Sequence, residues 1–103
     1  MPIKESLKKI IDDFIEECKI RNIFFSKVIL FGSYAKGHSN EDSDIDLALV
    51  SDQFSGNPFA DWHKLSPINI KFSLIESHPF SSKYFEESDP FIEEIKRTGI
   101  RII

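Results

Sequence analysis

The sequence predicts an α+β fold, and three observations carry that reading. Ile3, Leu7, Ile10, Ile11, Phe14, Ile15 and Cys18 recur at three-four spacing, the signature of an amphipathic helix. Lys27–Phe31, KVILF, is a short apolar run ended by glycine, as buried strands often are. Asp44–Val50, DIDLALV, alternates: Ile45, Leu47 and Leu49 fall on one face, and Asp44, Asp46, Ala48 and Val50 on the other.

The elements follow in order. Pro2 suits a first helical turn, so the opening helix is expected from Pro2 to about Arg21. The KVILF strand comes next, then a polar loop over Tyr34–Ser43, then the alternating strand. Phe59–Leu65 reads as a short helix before Pro67. Ile68–Ile75, INIKFSLI, alternates again, which predicts a strand with Ile68, Ile70, Phe72 and Leu74 inward. Asp89-Pro90 starts a helix and Gly99 stops it. Ile100–Ile103 is expected as an edge strand. The 103 residues suit a single domain, 1–103, with one modest core.

Composition limits the functions open to such a chain. Net charge is −4, which does not favour direct nucleic-acid binding. Between Lys36 and Lys64 there is no Lys or Arg, yet Glu41, Asp42, Asp44, Asp46, Asp52 and Asp61 all fall there. That stretch repels phosphate unless cations sit in it. Cys18 is the single cysteine, so no internal disulfide forms and a reducing, cytoplasmic setting is expected. No apolar run approaches about 18 residues, and the charged N-terminus has no signal-peptide core, so no membrane role is expected. Ten phenylalanines can fill the core and leave some for a partner surface.

The chemistry concentrates in Leu30–Val50. Asp44 and Asp46 project from one face of a strand with alpha carbons about 6.6 Å apart. Adjacent carboxylates repel, and burying either alone is costly. A divalent cation relieves both problems, and two carboxylates plus substrate phosphates is how Mg²⁺ is usually held. Gly32 lets the backbone approach a phosphate, and Ser33 offers a hydroxyl and an N–H. Two look-alikes fail. Gly32–Ser39 resembles a P-loop, but His38 holds the lysine position and no helix is expected to follow. Asp42–Leu47 resembles an EF-hand start, but Leu47 stands at the glycine position and Gln53 at the closing glutamate. His38 is expected as a solvated loop residue, and His63 and His78 are given no role. Trp62 is expected to pack on its helix rather than stack on a base, Cys18 to lie in the core, and Phe24-Phe25 to pack helix against sheet.

Gly32-Ser33, ten residues, then Asp44-Ile45-Asp46 is similar to the signature of the polymerase-beta-like nucleotidyltransferase superfamily. FGSYAKG followed by SDIDLALV resembles its minimal nucleotidyltransferases, small proteins often paired with HEPN-type toxins. The resemblance implies a small mixed β-sheet flanked by helices. It implies that Asp44 and Asp46 ligate Mg²⁺, and that Gly32 and Ser33 hold the β- and γ-phosphates of ATP. Lys36 matches a position often basic in the family, where it helps hold the triphosphate. An acceptor hydroxyl would attack the α-phosphate and release pyrophosphate. The family usually carries a third carboxylate on a later strand. In the expected strand Ile68–Ile75 that position is Ser73, which would weaken turnover; Glu76 could substitute if the strand end bends.

Two functions remain open. One is an enzyme transferring AMP to a hydroxyl on a partner protein, as antitoxin of a HEPN-type toxin. The other is a degenerate module that binds nucleotide or partner and neutralises a toxin by contact alone. Ser73 favours the second; the intact Gly-Ser and Asp-x-Asp favour the first.

Overall fold

In the computed structural model of the chain, residues 4–37 and 44–103 are described. Pro2, Ile3, His38, Glu41 and Asp42 fall outside them. The element order is α1 (Glu5–Ile20), β1 (Lys27–Phe31), α2 (Ser33–Lys36), β2 (Ile45–Ser51), α3 (Pro58–Asn69), β3 (Ile75–Ser81), α4 (Ser82–Glu87), α5 (Pro90–Thr98) and β4 (Ile100–Arg101). The four strands form one mixed sheet in the order β3-β2-β1-β4. β1 is antiparallel to β2 and β4, while β2 and β3 run parallel, joined by α3 as a crossover. Among the described residues no helix is long and apolar enough to cross a membrane.

β2 is buried on both faces, which explains its nearly continuous apolar run. Ile45, Leu47 and Leu49 join Val28 and Leu30 in a core closed by Leu7, Ile11, Phe14, Ile15 and Cys18 of α1 and Leu65 and Ile68 of α3. Ala48 and Val50 join Ile29 and Phe31 in a second core, closed by Phe85 of α4 and Ile92 and Ile95 of α5. The sheet is thus a middle layer between two helical ones. Burial raises the Cys18 thiol pKa to about 12, so it behaves as an apolar core group.

Local chemistry sets the helix ends. Asn57 caps α3, its side chain accepting from the N–H groups of Phe59 and Ala60. Asp89 caps α5 by accepting from Ile92 N–H, with Pro90 in the first turn. Gly99 ends α5 where a Cβ would stand 2.4 Å from Ile29 Cγ2 and 2.5 Å from the Ile95 carbonyl. Asp61, 1% exposed, accepts from Ser55 N–H and hydroxyl and from Gly56 N–H, fixing the turn before α3.

Two expectations fail in one region. α3 does not stop before Pro67 but carries it to Asn69. Pro67 has no N–H for the His63 carbonyl, and the Ser66 hydroxyl bonds that carbonyl instead, at 3.2 Å. Ile68–Leu74 is therefore not a strand: it is the end of α3 and a turn. Leu65 and Ile68 form the buried face of the helix, while Ile70 is 82% exposed. The third strand begins only at Ile75 and contains Pro79, which an edge strand tolerates because its missing N–H faces away from the ladder. α4, absent from the sequence reading, is capped by Ser81, whose hydroxyl accepts from Tyr84 N–H. Phe25 packs on the core as expected, but Phe24 and Trp62 are 55% and 50% exposed.

Ile68 and Ile70 would have been equivalent inward residues of a strand, so they separate the two arrangements. Ile68→Ala is expected to cost about 2–5 kcal/mol in denaturant unfolding, and Ile70→Ser to change stability by no more than about 0.5 kcal/mol.

Candidate active site

The site lies at one end of the sheet, where three strands present adjacent residues. Asp46 of β2 has Phe31 of β1 as its partner on one side and Glu76 of β3 on the other. Because paired residues in neighbouring strands share a face, Asp46 and Glu76 point the same way, and so does His78, two residues along β3. His78 Nε2 stands 3.3 Å from Asp46 Oδ1 and 3.8 Å from Glu76 Oε1. Donor atoms of Asp46, Glu76 and His78 all lie within 4.8 Å of one another. Asp44 precedes β2 and is exposed.

The β1 side is shaped by Gly32. Its backbone, at φ 75° and ψ −151°, occupies a region essentially restricted to glycine. A Cβ there would sit 2.2 Å from Asp46 Oδ2. Glycine is therefore needed twice, for the dihedrals and for the carboxylate packed against it. Ser33 does not sit in an open loop as expected but opens α2, a single turn ended by Gly37 in the left-handed conformation. Lys36, exposed, lies 3.6 Å from Glu94 of α5.

The charges are unevenly balanced. Burial, opposed by His78 and reinforced by Asp46 and Asp44, holds the Glu76 carboxyl above the usual carboxylate range. The cluster thus offers more negative charge than one imidazole offsets, and the donors fit a bound divalent cation.

The structure places Gly32 against the Asp46 carboxylate; Ser33 follows Gly32 at the start of α2, and Asp44 lies exposed just before β2. Ser73 is not with them. It is exposed in the turn before β3, because that strand starts two residues later, and Glu76 takes the position beside Asp46. His78, given no role from sequence, is part of the cluster. The usable signal was the alternation of Glu76, His78 and Phe80 across IESHPFS, masked by its proline. Next to His78 opens a cavity of about 790 Å³ lined in part by Phe59, Trp62, Phe80, Tyr84 and Phe91. Trp62 therefore faces a cavity rather than packing its helix.

Comparison with known proteins points the same way. The family described as "Nucleotidyltransferase domain" matches residues 7–100. A protein of Methanocaldococcus jannaschii named "Putative protein adenylyltransferase MJ1379" is 30% identical over 91 residues, covering 84% of this chain and 86% of that protein. Another from the same organism, "Putative protein adenylyltransferase MJ1305", is 39% identical over 49 residues, which cover 47% of this chain and 33% of that one. In fold, the chain resembles a chain from "Crystal structure of the toxin-antitoxin with AMP-PNP", with TM-score 0.61, 19% identity, and coverage of 89% of this chain and 72% of that chain.

Two predictions follow from this geometry. A carboxyl whose pKa is raised by folding binds its proton more tightly in the native state, so stability falls as pH rises through the ordinary carboxylate value and stays lower above it. In divalent-free buffer Glu76→Gln should therefore melt higher than the wild type at pH 7, with the difference gone below about pH 4; circular dichroism melts across pH measure it. Gly32→Ala should cost about 1–3 kcal/mol from its dihedrals alone, and a crystal structure of the variant should show the Asp46 carboxylate displaced.

Proposed function

Since the chain belongs to the nucleotidyltransferase domain family, we propose that it transfers AMP from ATP to a hydroxyl on a partner protein, with Mg²⁺, as antitoxin of a HEPN-type toxin. The observation that carries the catalytic reading is Glu76 beside Asp46 in the β2–β3 ladder, with donor atoms of the two within 4.8 Å and the Asp46 carboxylate against Gly32. The names of the M. jannaschii relatives support adenylyl transfer to protein. The toxin-antitoxin complex among the fold neighbours and the resemblance of the Gly-Ser to Asp-x-Asp stretch to minimal nucleotidyltransferases support the antitoxin role.

In this reading Asp44, Asp46 and Glu76 hold the cation. Bound there, Mg²⁺ would supply charge neutralisation at the transferring phosphoryl group. The protein does the rest. Gly32 brings main chain close to the β- and γ-phosphates, and Ser33 offers its hydroxyl and N–H to them. Lys36, released from Glu94, adds a positive charge. Glu76 stands across Asp46 from Gly32, on the side opposite the departing pyrophosphate, and takes the proton of the attacking hydroxyl. Phe59 and Phe91, 78% and 47% exposed, offer apolar surface to a protein acceptor. Glu76 beside Asp46 favours the catalytic reading over neutralisation by contact alone, which the sequence supported through Ser73.

Co-expression with its genomic neighbour and incubation with Mg-ATP should give an adduct of AMP mass on that neighbour. Glu76→Gln should slow the transfer by roughly 10²–10⁴-fold, and Ser73→Ala should leave it within about twofold. Loss of activity in Ser73→Ala with Glu76→Gln unchanged would reverse the assignment.

A further inference from the structure

The imidazole among the carboxylates remains to be explained. Donor atoms bound to one cation at roughly 2.1 Å stand about 3 Å apart at adjacent octahedral positions. His78 Nε2 is already 3.3 Å from Asp46 Oδ1 and 3.8 Å from Glu76 Oε1, so bringing it to either carboxylate's ion closes each gap by less than about 1 Å. The ring is held for this. Phe31 meets it edge-on with centroids 4.9 Å apart, and Phe91 flanks it at 6.1 Å. Asp46 is held from the other side, where its Oδ2 packs against Gly32. The two donors thus face each other from fixed positions.

An all-oxygen set suits Mg²⁺, and carboxylates suit Mn²⁺ as well; imidazole nitrogen suits the later first-row ions best, and Mn²⁺, at the weak end of that series, still takes it more readily than Mg²⁺. We infer that His78 Nε2 is a ligand of the cation site with Asp46 and Glu76, and that this nitrogen makes the site prefer Mn²⁺ or a similar transition ion to Mg²⁺. The inference deepens the proposed function and rests on its assignment of Asp46 as a metal ligand. It departs from that reading in the identity of the preferred ion. In the metal-bound form Nε2 presents its lone pair to the ion, and the ring proton lies on Nδ1.

The test uses the whole chain with Mn²⁺ alone as probe, first without and then with ATP. Pulsed electron paramagnetic resonance of bound Mn²⁺ should show the modulation of a directly coordinated imidazole nitrogen in the wild type. The modulation should vanish in His78→Gln, with Mn²⁺ affinity falling about tenfold or more while Mg²⁺ affinity changes little. Circular dichroism melts report whether the variant folds, and the wild-type spectrum decides the question if it does not. Mn²⁺ bound without nitrogen coupling, in a protein where Asp46→Asn abolishes binding, overturns the role of His78 and leaves the metal site standing. Nitrogen coupling retained in His78→Gln also overturns it. Failure of Mn²⁺ to bind under either condition overturns this inference and the assignment of Asp46 together.

Discussion

The register of β2 between its two neighbours is the constraint on which the rest of the molecule depends. Apolar side chains lock the strand from both faces: Leu47 and Leu49 on one, Ala48 and Val50 on the other. A slip of one residue would drive Asp46 into the α1–α3 core and bring Leu47 out. The core therefore holds Asp46 at the point where the sheet runs out of apolar cover. The same pairing brings Glu76 alongside it and puts Gly32 next after its partner Phe31.

That placement concentrates repulsion. Burial, with Asp46 and Asp44, raises the proton affinity of Glu76, and His78 offsets only part of it. In the metal-free protein the group opposes folding, and the two cores on either side of the sheet hold it together. Local conflict tolerated by a stable scaffold is a common property of binding sites. Here the physical form is plain: like charges are kept close by packing, and a cation would relieve them. Gly32 belongs to the same bargain, since its backbone is permitted only because no side chain competes with the carboxylate for space.

The aromatic residues divide between two tasks. Phe14, Phe85 and Phe54 are buried and fill the cores. Phe31, also part of the second core, and Phe91 flank His78, and Phe80 stacks on Tyr84 at the wall of the adjoining cavity. α4 and α5 thus close the second core and also furnish the surface beside the site.

Local sequence patterns were enough for α1, β1, β2, α5 and the edge strand β4, and they drew attention to Gly32, Asp44 and Asp46. Each of these has a local signal: three-four spacing, alternation, a Gly-Ser pair after an apolar run, or an Asp-Pro start with a glycine stop. The sequence misplaced the third strand because the alternation of Ile68, Ile70, Phe72 and Leu74 is also compatible with the end of a helix and a turn. The true strand hid behind Pro79, whose tolerance depends on lying at a sheet edge. Ser73 was named for the same reason, since a residue's place beside Asp46 depends on which strand pairs with β2. Only the tertiary structure could decide for Glu76 and His78. Their position comes from a parallel ladder closed across a helical crossover, with about thirty residues between the partners, and no local pattern records a contact made over that distance.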